Sequence, residues 1–172
     1  TKPRKILVST TGIQSDEAFG ILQFQKMTGV QFAQVHFSQG IAQAMTAFLG
    51  GKIDVFCGNV GDLLSQFKSG DVRILGIMDD EPSPFYPGVK TFAEQGYKLY
   101  SSSSRGFAAP AGTPKEVVKI LSGAIKKVVA TEDHKKRMAD MGLTLRYMDP
   151  AGYNRYWDEY EAMLKELLPL TK

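Results

Sequence analysis

Short apolar runs alternate along this chain with segments whose apolar residues recur at helical spacing. A strand at residues 31–37 is followed by the turn Ser38-Gln39-Gly40 and by a helix that the Gly50-Gly51 pair ends. Residues 53–57 are a short buried strand, and Gly58-Asn59 opens a further helix. This pattern predicts a β-α-β unit at the centre of the fold.

A second β-α-β unit is predicted immediately upstream. Residues 5–9 form a short apolar strand, residues 10–14 a polar turn, and Ser15 is a favourable helix N-cap. Asp16 and Glu17 fall in the first helical turn, where the helix dipole favours acidic groups, and the helix ends at Thr28-Gly29. Because loop N–H groups and helix N-termini gather at the carboxyl edge of a parallel sheet, that edge is the predicted anion site.

The rest of the chain is predicted to continue as alternating strands and helices. Residues 72–78 are apolar enough for a central strand, residues 97–101 are extended, and residues 107–110 form a crossover strand. Helices are predicted from Thr113 (with Pro114 at the first helical position), from Thr131 and from Asp149, with a strand at residues 143–147. The last helix carries a stripe interpreted as a packing face, formed by Tyr153, Tyr156, Trp157, Tyr160, Met163, Leu164 and Leu167.

Composition places the 172-residue chain among globular proteins with a real core. It is 43% hydrophobic and 23% charged, and its net charge of +3 is too small and too scattered to predict a nucleic-acid partner. A single cysteine, Cys57, excludes an intrachain disulfide and leaves the redox compartment open. No apolar run reaches membrane-spanning length, and no signal peptide is visible, which is also the pattern of a secreted protein without its leader.

The sequence contains no residue grouping typical of catalysis or metal binding. A Ser/His/Asp triad, paired carboxylates, a P-loop and zinc-ligand spacing are all absent. His36 lies in a predicted strand and His134 in a basic helix, and both are interpreted as structural. The expected protein is therefore not an enzyme and has neither a metal nor a cofactor.

Four segments carry a resemblance to a known family. Residues 107–118, FAAPAGTPKEVV, resemble the segment LLAPAGTPKEIV of the tripartite tricarboxylate transporter substrate-binding proteins, also called the Bug family. Residues 49–54 with Asn59 resemble LLGGxVDxxFxN, residues 70–77 resemble GKLRALAV, and residues 86–97 resemble PDVPTxxEAGY. The resemblance implies an α/β fold of the periplasmic-binding-protein-like (type II) class, with a parallel-rich sheet flanked by helices.

The resemblance also implies a two-lobed protein of which this chain is the C-terminal part. The family's N-terminal PPGGG and PPDGYTL segments have no counterpart in the sequence. Residues 5–104 would form the complete second lobe. Residues 105–172 would supply the crossover strand and the C-terminal helices that return to the first lobe. Those helices would expose an apolar face through which the chain could self-associate.

By resemblance, a small organic carboxylate binds in the cleft between the lobes, held by backbone N–H groups and hydroxyls. The matching residues lie in three loops and at the crossover: Ser9, Thr10, Thr11, Gly12, Ser15, Ser38, Gln39, Gly40, Asn59 and Arg105. Ser15 and Asn59 have a structural alternative as helix caps, and Arg105 as the partner of a surface acid. Gln39 replaces a family glycine, and the acid that precedes the family's asparagine is absent before Asn59.

The function that the resemblance implies is that of a periplasmic (extracytoplasmic) solute-binding protein. It would close around its carboxylate and present it to the membrane subunits of a tripartite tricarboxylate-type transporter. The alternative from another class is a carboxylate-sensing effector domain of a transcription regulator, which would need a helix-turn-helix upstream. A carboxylate-converting enzyme is a third hypothesis, opposed by the missing catalytic grouping.

Overall fold

A computed structural model describes residues 6–171 of the chain. These residues form two compact units. The first contains the residues up to Ser103 together with the C-terminal residues from Leu164, and the second contains Ser104–Met163.

The first unit is built on a three-stranded parallel sheet. Its elements follow the order β1 (Leu7–Thr10), α1 (Asp16–Thr28), β2 (Ala33–His36), α2 (Ile41–Leu49) and β3 (Val55–Phe56). The strand order is β2-β1-β3, and both neighbours of β1 run parallel to it. The two predicted β-α-β units are thus confirmed, and the carboxyl ends of all three strands lie at one edge of the sheet.

Helix α1 begins and ends with the capping groups that the sequence predicts. The Ser15 hydroxyl accepts a hydrogen bond from the Ala18 N–H at 3.2 Å, which satisfies one of the free donors of the first turn. At the other end, Gly29 adopts a left-handed conformation with φ 72° and donates its N–H to the Gln25 carbonyl at 2.8 Å.

The core of the first unit lies around β1 and α1. Val8 and Ala18 are fully buried, and Phe19, Ile21 and Leu22 line the buried side of α1. Burial of each large apolar side chain stabilises the fold by roughly 1.5–3 kcal/mol. The C-terminal residues join this core, because Leu167 is 2% exposed.

Gly20 allows α1 to pack closely against the segment that follows the sheet. A Cβ atom at this position would lie 2.9 Å from the Met78 sulfur and 3.3 Å from the Ser101 side chain. Ser101 is fixed there by two hydrogen bonds, from its N–H to the Met78 carbonyl (2.9 Å) and from its hydroxyl to the Asp16 carbonyl (3.2 Å). The start of α1 is therefore held from outside the β-α-β unit.

The prediction of a central strand at residues 72–78 is wrong. The segment forms only an isolated parallel bridge between Ile77 and Thr91, and the Leu75 side chain is 54% exposed. The apolar composition of this run is typical of a strand that is buried on both faces. A strand also needs a neighbouring strand along its length. Here the neighbour is a loop that forms backbone hydrogen bonds with Ile77 only, through the Lys90 carbonyl and the Phe92 N–H. The Leu75 carbonyl is instead bonded by the Gln95 side chain, at 3.1 Å.

Shorter elements complete the first unit. A 3-10 turn at Val60–Leu63 leads into α3 (Leu64–Ser69), and a second 3-10 turn covers Ala93–Gln95. The chain closes with a 3-10 turn at Leu168–Thr171. None of the helices within residues 6–171 is long and apolar enough to cross a membrane.

The second unit consists of helices. They are α4 (Lys115–Val129), α5 (Glu132–Asp140) and α6 (Pro150–Leu167), whose last residues belong to the first unit. Thr131 caps α5 as predicted, accepting the His134 N–H at 3.3 Å. The N-cap of α4 is Pro114 instead of the predicted Thr113, and no side chain caps this helix. The Thr113 hydroxyl donates to the Pro110 carbonyl at 2.8 Å.

Two further predicted strands do not form in this unit. Residues 107–110 and 143–147 have extended or turn backbones without ladder partners in the described part of the chain. Phe107 is 84% exposed, so its apolar side chain does not mark a buried strand. Both segments have strand-like composition, and both lack a neighbouring strand to pair with.

Candidate functional site

Three loops follow the strands of the sheet at its carboxyl edge. Loop 1 (residues 11–15) joins β1 to α1, loop 2 (residues 37–40) joins β2 to α2, and loop 3 (residues 57–59) follows β3. Nine of the ten predicted ligand residues lie in or directly before these loops. The parallel topology brings them to one edge of the first unit, as the sequence predicts.

The two hydroxyls that end β1 are used inside the sheet. Ser9 and Thr10 are fully buried. The Ser9 hydroxyl accepts a hydrogen bond from the Cys57 N–H at 3.4 Å, and the Thr10 hydroxyl is hydrogen-bonded to His36 Nδ1. These hydrogen bonds connect β1 to β2 and to the residue that follows β3, so the two side chains stabilise the carboxyl edge of the sheet.

The hydroxyls of loop 1 also have partners within the protein. The Thr11 hydroxyl donates to the Glu17 carboxylate at 2.9 Å, and the Ser15 hydroxyl donates to the Gly12 carbonyl at 3.0 Å while it caps α1. A hydroxyl has one proton to donate. The hydroxyl protons of Thr11 and Ser15 are therefore already used within the protein, and these side chains cannot donate them to a carboxylate as the sequence predicts.

Backbone donors remain in loop 1. Within residues 6–171, no acceptor is hydrogen-bonded to the N–H groups of Gly12, Ile13 or Gln14. Ile13 is 53% exposed and Gln14 is also exposed, so this part of loop 1 lies at the protein surface. They are the donors that loop 1 can offer to an anion, because the N–H groups of Asp16 and Glu17 in the first turn of α1 are hydrogen-bonded to the Asp16 carboxyl group.

Two acidic residues, Asp16 and Glu17, follow loop 1 directly in the first turn of α1. Glu17 is buried, with 6% of its surface exposed, and Asp16 is half-buried beside it. Burial, followed by the charge of Glu17, raises the pKa of Asp16 above its ordinary value. The sequence indicates these acids only as favourable helix starters, whereas in the fold their negative charge opposes an anion at this helix.

The same acids act on Cys57 in loop 3. Burial of its thiol, with the charges of Glu17 and Asp16, raises the pKa of Cys57 to about 12. The thiol is therefore protonated and unreactive at neutral pH, and it lies 4.0 Å from the Glu17 carbonyl oxygen. Cys57 therefore behaves as a small apolar residue.

Loop 2 presents exposed polar groups at an uncapped helix. Ser38 and Gln39 are exposed, and Gly40 has φ 89°, a backbone conformation that favours glycine. Helix α2 has no side-chain cap and no acidic residue in its first turn. Its positive end is thus uncompensated, in contrast to that of α1, and it is the more favourable place for a carboxylate.

Loop 3 is fixed from two sides. The Asn59 N–H donates to the Asp62 carboxylate at 2.7 Å, which orders the start of the 3-10 turn. The Tyr86 hydroxyl donates to the Val60 carbonyl, and its ring packs edge-on against Phe67 at 4.9 Å. Burial and the Asp62 charge raise the pKa of Tyr86 to about 12. Sequence reasoning missed both Asp62 and Tyr86, because their contacts depend on the fold.

Arg105, the tenth predicted residue, belongs to the second unit. It is exposed, and within that unit no carboxylate forms an ion pair with it. The segment around it is held by Tyr153, whose hydroxyl lies 3.1 Å from the Ser104 hydroxyl and whose ring would collide with a Cβ atom at Gly106.

Comparison with known proteins now gives the family. The model of the tripartite tricarboxylate transporter family receptor, TctC, matches residues 1–169. The chain belongs to the TctC family. BugT of Bordetella pertussis is 29% identical over 123 residues, which cover 70% of this chain and 37% of BugT. The chain thus spans well under half the length of this relative.

Solved structures of similar proteins share the fold. Rpa4515 of R. palustris, solved with adipate, has a TM-score of 0.81 at 20% identity, covering 99% of this chain and 57% of that one. The periplasmic binding protein BugD has a TM-score of 0.63 at 27% identity, covering 82% and 47%. The predicted α/β, periplasmic-binding-protein-like fold is confirmed. The TctC family is one of receptors, so the enzyme and regulator alternatives are not supported.

Proposed function

We propose that this TctC-family chain is part of a periplasmic solute-binding protein that captures a small organic carboxylate at the carboxyl edge of its sheet. The observation that carries the proposal is the set of open backbone donors at that edge. The N–H groups of Gly12, Ile13 and Gln14 and the uncapped start of α2 can bind an oxyanion without a formal positive charge.

Because the hydroxyls of loop 1 are hydrogen-bonded within the protein, fewer side chains of the proposed site can contact the ligand. Thr11 and Ser15 orient loop 1 through Glu17 and Gly12, while Ser38 and Gln39 of loop 2 are exposed and can reach a ligand. Gly12 and Gly40 contribute backbone. Ser9, Thr10 and Asn59 hold the edge in place. Arg105, which lies in the second unit, remains a candidate ligand residue on the family resemblance. The adipate of Rpa4515 supports a carboxylate as the ligand class.

The wider role follows from the family. Family receptors serve tripartite transporters, so we infer that the complete protein passes its ligand to membrane subunits of such a transporter. We also infer that residues 5–104 and 105–172 belong to two lobes. The boundary between the compact units at Ser103 and Ser104 supports the division at that point, whereas the residues from Leu164 onward group with the first unit.

An exposed apolar face on α4 favours self-association as a second property. Val117, Ile120, Leu121 and Val128 recur at helical spacing and are 43%, 70%, 51% and 55% exposed. A contiguous apolar helix face in water is typical of an interaction surface, and we propose that a second copy of the chain covers it. Sedimentation would show a dimer that Ile120→Lys converts to a monomer.

A thermal-denaturation series with adipate tests the carboxylate proposal. A micromolar ligand binds with about −8 kcal/mol; if this chain supplies half of the contacts, its dissociation constant is about 1 mM. Adipate at a hundredfold excess over that constant would then stabilise the fold by about 2.7 kcal/mol. The control is 1,6-hexanediol at equal ionic strength, which lacks the charges. Equal effects of the two compounds would contradict the proposal.

A further inference from the structure

His36 occupies a distinctive position at the proposed site. It is the last residue of β2 and the register partner of Thr10, the last residue of β1. Loop 1 begins directly after Thr10 and loop 2 directly after His36, so this pair stands between the two loops that carry the open donors. The sequence alone placed His36 in a strand without a partner and gave it a structural interpretation.

The imidazole is held by one nitrogen. Its Nδ1 is hydrogen-bonded to the hydroxyl of Thr10, a residue with no exposed surface. The His36 residue itself is exposed, and within residues 6–171 no other hydrogen bond to its ring is formed. A buried hydroxyl therefore fixes the ring orientation, and Nε2 is the polar atom left to meet an external group.

The bond to Thr10 allows a donor at Nε2 in two of the forms of the ring. When the Thr10 hydroxyl donates to Nδ1, the neutral ring carries its proton on Nε2. When the ring is protonated, both nitrogens carry protons. In each of these forms Nε2–H can donate to a carboxylate, as metal-bound and catalytic histidines use one nitrogen for orientation and the other for function.

We propose that His36 Nε2–H donates a hydrogen bond to the ligand carboxylate, and that Thr10 is the positioning residue for the ring. The inference rests on the proposed function and adds an imidazole donor to a site built from backbone N–H groups and the side chains of loop 2. A directed donor would also favour planar carboxylates over ligands that lack an acceptor at that point.

Two variants of His36 separate ligand contact from structural support. In His36→Asn, the amide can keep a hydrogen bond to the Thr10 hydroxyl in place of Nδ1, but no atom reaches the Nε2 position. In His36→Gln, the amide nitrogen reaches about as far as Nε2. His134→Asn, on α5 of the second unit, is the matched control. Affinities for adipate would be measured from amide shifts in NMR titrations of the full chain.

The expected result is a loss of about tenfold or more in affinity for His36→Asn, as for a charge-assisted hydrogen bond. His36→Gln should stay within about threefold of the unaltered chain, and His134→Asn should not change. In the unaltered chain, the His36 Nε2 resonance should shift as adipate is added, which a merely structural histidine would not show.

Two outcomes would overturn the inference in distinguishable ways. If the unaltered chain binds adipate and His36→Asn binds it equally well, His36 is not a ligand contact while the proposed function stands. If the unaltered chain gives no response to adipate at any loop, the proposed function fails and His36 loses its role with it.

Discussion

Replacing Gly20 by alanine tests how α1, which carries loop 1, is held in the first unit. A helical alanine is favoured over glycine by about 1 kcal/mol. Against this, the new Cβ atom would lie 2.9 Å from the Met78 sulfur and 3.3 Å from Ser101. Overpacking of this kind costs about 1–3 kcal/mol. We therefore expect Gly20→Ala to be neutral or to destabilise the fold by up to about 2 kcal/mol.

Gly123 in α4 is the matched control. A Cβ atom there would meet nothing within 4 Å, so Gly123→Ala should show only the helix-propensity gain of about 1 kcal/mol. Urea denaturation followed by circular dichroism measures both changes. If the two units unfold separately, each variant should shift its own transition. A stabilisation by Gly20→Ala as large as that by Gly123→Ala would refute the close contact with Met78 and Ser101.

Three further predictions concern the caps, the buried thiol and loop 2. Ser15→Ala should destabilise the first unit by about 1 kcal/mol through loss of the α1 cap, and Thr131→Ala should do the same for α5; urea denaturation of each variant checks this. The free energy of unfolding should fall as pH rises from 9.0 toward about 12, since the folded chain keeps the Cys57 proton that the unfolded chain releases. The slope is at most about 1.4 kcal/mol per pH unit for this group, and Cys57→Ala should remove it, which denaturation at several alkaline pH values would show. Gly40→Ala should cost about 1 kcal/mol or more because of its φ of 89°, and it should weaken adipate binding by disturbing the start of α2. Unchanged stability in denaturation and unchanged adipate affinity in a titration would contradict this prediction.

The sequence predicts the sheet edge well because its signals there are local. Ser15 before two acids and Gly29 after the last helical residue fix the ends of α1, and both positions are confirmed. The two β-α-β units follow from apolar runs separated by such helices. By contrast, residues 72–78 have the composition of a strand but lack a partner, and pairing is a tertiary property that composition does not contain.

In the candidate site, too, the sequence predicts the local elements but not the tertiary contacts. The loops lie where the parallel topology requires, but the partners of their hydroxyls depend on register. Thr11 in loop 1 reaches Glu17, six residues later in the first turn of α1, and Thr10 reaches His36 because β1 and β2 pair at their ends. Spacing in the sequence does not predict which hydroxyls keep a proton free for a ligand. In loop 1 the hydroxyl protons of Thr11 and Ser15 are engaged, so there the proposed site uses backbone donors.

Amide-resolved NMR titration of the chain with adipate tests the proposed carboxylate site most directly. We expect saturable shifts at Gly12, Ile13 and Gln14 and at the start of α2, with a dissociation constant of about 1 mM, and no comparable shifts with 1,6-hexanediol. Shifts that are absent from both loops, or that are the same for adipate and for the diol, would contradict binding of a carboxylate at this edge of the sheet.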